Sequence, residues 1–518
     1  VMMNSINFAP AISPSSAGGR EPLLPRMAII DIGTSSSGVI SLLQEALPAD
    51  RRHEVVFRKL KMSRENSINV FDTQLGMREP TPNERQFLVN FLSLICGNGT
   101  EPPSSAMRGL INACVERVYY DFADSQTPRR YMRNEEPNID RTLDELDFEA
   151  DFETAWWEVV DFLMVNDKIH EASVAQRHAV PTLADLVTAS QADQVASLYE
   201  SANDGDTNQP IMNSFQRMIS EVVRDYPILS THTRFSVGSA RIVSLDLMDV
   251  TVGGASAAAK KQTALMYMLA RQVLTRDFFI DEADFRTAET KGSLPSEFLE
   301  YHVKRARVNL QLPKLICMDE FHRTGKIDMI VEQVIQDARE GRKFNIDIKI
   351  ASQLIEDFPP SMIEVATTLI VCNAGSENSI DYMDGQFRLT EGEKRVMRYQ
   401  LTGPSSRGAP IWAMFKLKDG SVRQKLNLTL GPAEIWAFST TAEDVALRGR
   451  LYESIGPRLT RQVLARRFPG GSAKSEIENR ISRMEEAGSD LSTEQRGDVV
   501  GDLVEELKRA AYLINDDV

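Results

Sequence analysis

The sequence predicts an α/β chain that carries an inserted all-helical region and ends in helices. Three observations carry this reading. Apolar strand-like runs alternate with helical spacing between residues 27 and 60. Strand signals then vanish from Pro80 to Pro227. They resume at Phe235 and give way after Thr441 to helix alone. At 518 residues the chain is long enough for more than one folded unit.

The first residues, VMMNSINFAPAI, read as a helix to about Phe8 that has no start signal and no initiator Met, so the expectation is that residues precede Val1. A Pro/Ser/Gly loop leads to a strand over 27–32. Val39, Ile40, Leu42, Leu43, Ala46 and Leu47 then fall at helical spacing, and a strand over 53–60 follows. This β-α-β order marks a parallel sheet. Helical patterns cover 84–96, 106–120, 152–165 and 182–200. Nine acids and one arginine lie between Glu135 and Glu153, a run that reads as a solvated face or as a docking face for a basic partner. Further on, strands are expected at 241–247, 314–318, 345–351 and 367–372, with helices at 257–273 and 327–338. Segments 410–417 and 422–430 read as an antiparallel pair around Asp419-Gly420. Gly470-Gly471 breaks the terminal helices. Beyond it Val499, Val500, Leu503, Val504, Leu507, Ala510, Ala511 and Ile514 form an amphipathic stripe expected to pack on its own chain. The resulting divisions are 1–78, 79–232, 233–440 and 441–518.

The chain is 42% hydrophobic and 26% charged, the balance of a soluble globular protein. A net charge of −15 argues against a nucleic-acid backbone as its main partner. Cys96, Cys114, Cys317 and Cys372 form no CxxC or metal-ligand pair and read as buried thiols in a reducing compartment. The apolar helix candidate 87–96 is far short of the ~20 residues a bilayer span requires. No signal peptide is visible. These features predict a cytoplasmic protein without a transmembrane segment.

Candidate chemistry sits at the ends of the strands. The run KLICMDEFHRTG is a buried strand ending in Asp319-Glu320, at the carboxyl edge where α/β sheets place ligands. A phosphoryl-transfer site needs such a pair: the first acid holds Mg²⁺ through water, and the second orients and polarises the attacking water. Two adjacent buried carboxylates are costly without a cation. The alternative is a solvated acidic turn. The next strand, NIDIKIASQ, ends in Ser352-Gln353. Gln both donates and accepts hydrogen bonds, which suits contact with a γ-phosphate and a water. Between them DAREGRKFN carries Arg339, Arg342 and Lys343 at a helix C-terminus. There they complement the helix dipole, or Arg342 or Lys343 reaches a neighbouring subunit's γ-phosphate.

No segment matches the phosphate loop G-x-x-x-x-G-K-[ST]. GASAAAKK from Gly254 has Ala259 and Lys261 where Gly and Ser/Thr are needed, and reads as an ordinary helix start. GGSAKS at Gly470 lacks the second glycine and follows no strand. The stretch MAIIDIGTSSSG also has the chemistry of a phosphate turn. Sugar kinases and actin-like ATPases carry a similar stretch, but there the turn leads into a second hairpin strand, and here it leads into a helix. Aspartic proteases need a second Asp-Gly-Thr turn, which this chain does not have.

The order of these pieces resembles the motor ATPases of type IV secretion and conjugation systems, above all the DotO (IcmB) branch of the Dot/Icm system and its plasmid relatives of the TraU type. In that family a phosphate loop is followed by a helix like VMMNSINFAPAI and a strand ending as Asp31 to Ser35 does. An Asn-x-Phe-Asp stretch comes next, here Asn69-Val70-Phe71-Asp72, and then a helical insertion. Asp319-Glu320, Arg342-Lys343-x-Asn345 and Ser352-Gln353 follow in family order. The resemblance implies a RecA/FtsK-like P-loop NTPase core using ATP and Mg²⁺, with Glu320, Gln353, Arg342 and Lys343 in catalysis and Asp319 at the metal. It implies a homo-oligomer, a hexameric ring at the cytoplasmic face of the bacterial inner membrane, with other secretion-system ATPases and inner-membrane components as partners. Asp31 then lies near the nucleotide or a subunit boundary, or it caps its own turn and touches no ligand. Two rivals remain: a DNA-translocating ATPase of the same superfamily, and a non-catalytic ring scaffold lacking the phosphate loop. The family's loop lies upstream of residues equivalent to Val1, so the chain alone is expected to be inactive.

Overall fold

The computed structural model describes residues 2–12, 23–33, 35–97, 102–205, 208–254, 256–324, 327–405, 407–486 and 493–515. Thr34, Ala255, Gly325 and most of the Pro/Ser/Gly loop lie outside the described residues, as does Val1.

Five parallel strands form the main sheet: β1 (Arg26–Asp31), β2 (Val55–Lys59), β3 (Ile242–Asp246), β4 (Lys314–Met318) and β5 (Ile346–Ile350). Their spatial order is β2-β3-β1-β4-β5. The first β-α-β unit is therefore opened by a strand that follows the helical region in the chain, since β3 pairs with both β1 and β2. The central strands are apolar without interruption because both of their faces are covered. Alternate residues divide between two cores: Ala28, Ile30, Ile316 and Met318 go one way, and Met27, Ile29, Leu315 and Cys317 go the other. Helices Ala257–Thr275, Pro82–Cys96 and Asp328–Gly341 cover the first face. Ser37–Ala46 and the Ala437-Phe438 end of Pro432–Phe438 cover the second.

The helical region between β2 and β3 has local start signals. Thr81 caps Pro82–Cys96 in a reciprocal box with Glu84, with Pro82 in the first turn. The expected helix 182–200 is split into Asp185–Ser190 and Asp193–Tyr199. The expected helix 152–165 starts only at Trp156, leaving Phe152 exposed. The acidic run is itself partly helical, over Pro137–Glu145. It buries Ile139 and Leu143 against Trp156 and Val160 and turns most of its acids outward.

The strand expected at 367–372 does not join the parallel sheet. As β6 (Thr368–Val371) it pairs antiparallel with β7 (Ala409–Leu417), which pairs with β8 (Gly420–Leu428) across Lys418-Asp419. Cys372 lies past the end of β6 and is exposed, 3.3 Å from Met2 Sδ, which corrects its reading as a buried thiol. The other three cysteines are buried. The C-terminal stripe packs on its own chain: Val499, Leu503, Val504, Leu507 and Ala511 meet Trp436, Leu447, Leu451 and Leu464. No helix among the described residues is long and apolar enough to cross a membrane.

Gly38 explains one letter of the opening turn. A Cβ at this position would stand 1.7 Å from the Ala437 carbonyl oxygen, so Ser37–Ala46 can approach Pro432–Phe438 only with glycine there. Gly38→Ala is expected to lower stability to urea by about 1 to 3 kcal/mol through overpacking. Gly449→Ala lies inside a helix, where a Cβ meets nothing within 4 Å, and should be neutral or slightly stabilising. Equal effects of the two changes would refute the packing role of Gly38.

Candidate active site at the carboxyl edge of the sheet

The parallel register sets Asp31 beside Asp246, and Ile30 beside Met318. One residue further, the Asp319 N–H donates to the Ile30 carbonyl at 2.9 Å, and the Leu247 N–H donates to the Asp31 carbonyl at 2.9 Å. Three carboxylates, Asp246, Asp31 and Asp319, thus stand side by side at the ends of β3, β1 and β4. Asp246 was not singled out from the sequence, although the signal was present: Ser244-Leu245-Asp246 ends its strand as Ile29-Ile30-Asp31 does.

Asp31 is almost wholly buried and is heavily used by its own turn. Its Oδ2 accepts hydrogen bonds from Ser35 Oγ (2.5 Å), Ser36 Oγ (2.8 Å) and Ser36 N–H (3.0 Å), at the start of helix Ser37–Ala46. Asp246 accepts from Gly33 N–H at 2.8 Å, and Lys59 Nζ stands 3.9 Å away. Gly33 takes a φ of +118°, which favours glycine there. The turn thus acts as a brace between two acids, and Ser35 Oγ also lies 3.5 Å from Asp319 Oδ2. Helix Met2–Ile12 reaches the same edge, with Asn4 Nδ2 donating to the Ser35 carbonyl at 2.6 Å. It passes beneath β4 and β5, where Asn7 meets Cys317 Sγ and Lys349 Nζ donates to the Ile6 carbonyl.

Asp319 has its backbone carbonyl fixed by the Tyr267 hydroxyl at 2.5 Å, from helix Ala257–Thr275. Burial, then the negative charges of Asp31 and Glu320, hold its carboxyl above the ordinary carboxylate range. Glu320 follows in the left-handed region at φ +53°, a conformation that costs a non-glycine residue about 1 kcal/mol or more. The turn is held there by β5: the Phe321 N–H donates to the Ala351 carbonyl, and the His322 N–H to Ser352 Oγ, which in turn donates to Asp357. The side chain of Glu320 is left where Gln353 Nε2 reaches it at 3.4 Å, His322 Nε2 at 3.5 Å and Arg323 Nε at 4.0 Å.

No family model and no curated protein matches the chain. Among solved structures, VirB4 of Thermoanaerobacter pseudethanolicus aligns with a TM-score of 0.46 and 13% identity, over 79% of this chain and 83% of that one.

Asp319, Glu320, Gln353 and Asp31 are thus brought together. Arg342 and Lys343 are not: they follow helix Asp328–Gly341 at the amino end of β5, separated from Glu320 by the length of that strand, about 17 Å. Lys343 is hydrogen-bonded to Asp281, whereas Arg342 is exposed and has no ion pair among the described residues. Neither near-match to a phosphate loop forms one. Ser256 caps helix Ala257–Thr275 through the Ala259 N–H, and Lys261 Nζ is held by the carbonyls of Ile95 and Gly97. GGSAKS leads into helix Lys474–Glu486 in the C-terminal region.

The crowding of acids fits a divalent cation, which would relieve the repulsion between Asp319 and its neighbours. The same crowding has a consequence for stability. A carboxyl whose pKa is raised by folding stabilises the chain below its unfolded value of about 3.9, and this contribution is lost as pH rises through the folded value. Without metal, Asp319→Asn should therefore raise the melting temperature at neutral pH, and the gain should shrink as pH falls through the raised folded value and vanish near the unfolded value of about 3.9. A gain that is the same at every pH, or a loss at neutral pH, would show that charge crowding at Asp319 is not what sets stability there.

Proposed function

We propose that the chain forms the hydrolytic face of a RecA/FtsK-like motor ATPase, of the kind that energises type IV secretion and, more narrowly, of the Dot/Icm type. The single observation that supports this most is Gln353 at 3.4 Å from Glu320, with Asp319 beside it at the end of buried β4. An acid pair on one strand and an amide on the next is the arrangement needed to orient water against a terminal phosphate. In this reading Asp319, with Ser35 and Asp31 beside it, would hold Mg²⁺ through water. Mg²⁺ supplies charge neutralisation to the phosphates of ATP. Glu320 orients and polarises the attacking water. Gln353 bonds both that water and the γ-phosphate, since its amide donates and accepts. Arg342 or Lys343 acts on the γ-phosphate of a neighbouring subunit, because neither reaches the acid pair of its own chain.

A phosphate loop is the missing component, and β5 offers a place for it. Among the described residues β5 pairs on one side only, with β4. Ile346, Ile348 and Ile350 are half-buried, where the residues of β4 are fully buried. A strand carrying the loop would complete the sheet there and feed helix Met2–Ile12, whose first turn already lies at the carboxyl edge. Assembly into a hexameric ring at the cytoplasmic face of the inner membrane, alongside other secretion-system ATPases and inner-membrane components, follows from the motif order. One rival reading is a ring scaffold without catalysis.

Activity measurements separate the two. In protein carrying the loop, Glu320→Gln should lower ATP hydrolysis by about a hundredfold or more, with Mg-ATP binding retained. Unchanged hydrolysis would favour the scaffold. The chain of these 518 residues alone should bind Mg-ATP more weakly than the micromolar range, about −8 kcal/mol.

Subunit mixing tests the trans cation. Subunits with Arg342→Ala and Lys343→Ala should be inactive alone and regain partial activity when mixed with Glu320→Gln subunits, because some interfaces then hold both parts. Rings that assemble yet never recover activity would reduce the pair to surface charge at a helix end.

A further inference from the structure

The opposite edge of the sheet has a different chemistry. A cavity of about 370 Å³ lies where the amino ends of β1 and β3 meet the helical region and helix Ala257–Thr275. Its charged lining consists of Arg26, Arg177, Arg241 and Arg276 against Asp72 and Asp277, an excess of cations in a chain of net charge −15. The proposed phosphoryl-transfer reading uses none of these groups.

The arginines are held in place but incompletely satisfied. Arg241 Nε donates to the Leu24 carbonyl at 2.8 Å, and its backbone N–H donates to the Glu54 carbonyl, so the guanidinium is anchored. Its Nη2 is buried and has no hydrogen-bond partner among the described residues. Burial and the neighbouring charge of Arg26 both push the Arg241 pKa down. Arg26 stands 3.7 Å from Asp277, which it shares with Arg305 at 3.6 Å. Arg276 has Glu84 only at 3.9 Å. Asp72 has one oxygen bonded by Thr233 at 2.6 Å, and its other oxygen is buried without a partner. Burial pushes its carboxyl up, while the charges of Arg276 and Arg177 pull it down. An unpaired buried guanidinium N–H costs free energy unless something satisfies it.

We propose that this cavity binds a small phosphorylated anion, held by Arg241, Arg26 and Arg276. Guanidinium forks match phosphate oxygens in number and geometry. The volume falls within the range of small-molecule sites, about 300 to 1,000 Å³. A concave wall with an excess of positive charge concentrates anions even on an acidic protein. Asn69 and Thr233 fix the wall: the Asn69 amide donates to the Pro181 carbonyl, and the Asn69 N–H donates to Thr233 Oγ1. The Asn-x-Phe-Asp stretch thus shapes this cavity rather than the carboxyl edge. The cavity wall joins the helical region to the sheet, because Ser173, Gln176 and Arg177 of helix Ile169–Ala179 line it opposite Arg26 and Arg241.

Inorganic pyrophosphate is the probe. Calorimetric titration into the chain should give saturable binding, preserved in Glu320→Gln, which lies at the far edge. Arg241→Gln and Arg26→Gln should each weaken it by about tenfold or more. Labelling with phenylglyoxal, read by mass spectrometry, covers the case in which a variant fails to fold: in the parent chain, pyrophosphate should protect Arg241. No binding at millimolar pyrophosphate, undiminished affinity in a folded Arg241→Gln, loss of binding in Glu320→Gln, or an unprotected Arg241 would each overturn the proposal.

Discussion

The parallel register of β3, β1 and β4 is the constraint on which the carboxyl edge depends. It sets Asp246, Asp31 and Asp319 in one row and leaves Glu320 at the first residue beyond it. A slip of one residue in β4 would exchange its two buried faces, driving Leu315 and Cys317 into the core now filled by Ile316 and Met318. Packing on both faces therefore fixes the position of the acids. The acids themselves oppose the arrangement, since Asp319 is held above its ordinary pKa by burial and by its neighbours.

The sheet is polarised as a result. Acids and the serine turn gather at one edge, while Arg26 and Arg241 meet at the other. Two features mark these edges: a left-handed Glu320 among crowded carboxylates, and a buried guanidinium nitrogen without an acceptor among the described residues. Other buried charges are met in different ways: Arg271 pairs with Asp337 and Arg78 with Asp161 and Asp124, while Lys314 and Arg448 donate to backbone carbonyls.

Much of this was legible in the sequence, for a physical reason. Strands covered on both faces are continuous apolar runs, so their ends stand out, and Asp31, Asp319, Glu320 and Gln353 were visible as polar residues at those ends. Asp246 carried the same signal. Tyr267 carried none, because a hydroxyl in the middle of an apolar helix looks like core until the fold brings it to the Asp319 carbonyl. The position of Arg342 and Lys343 was implicit in the topology: a helix joining two parallel strands runs back to the amino edge, so its C-terminal cations cannot meet the acids of their own chain. The strand expected at 367–372 forms over Thr368–Val371, but an apolar run does not say which sheet it joins, and β6 pairs with β7.

The most direct test is to locate the metal. Iron(II) in place of Mg²⁺, with ascorbate and peroxide, cuts backbone close to the bound ion. In protein carrying a phosphate loop and loaded with ATP, cuts should fall beside Asp31 to Ser36 and beside Asp319 to His322, and they should depend on the nucleotide. Cutting elsewhere, with both segments intact, would contradict the assignment of the carboxylate row as the nucleotide-metal site.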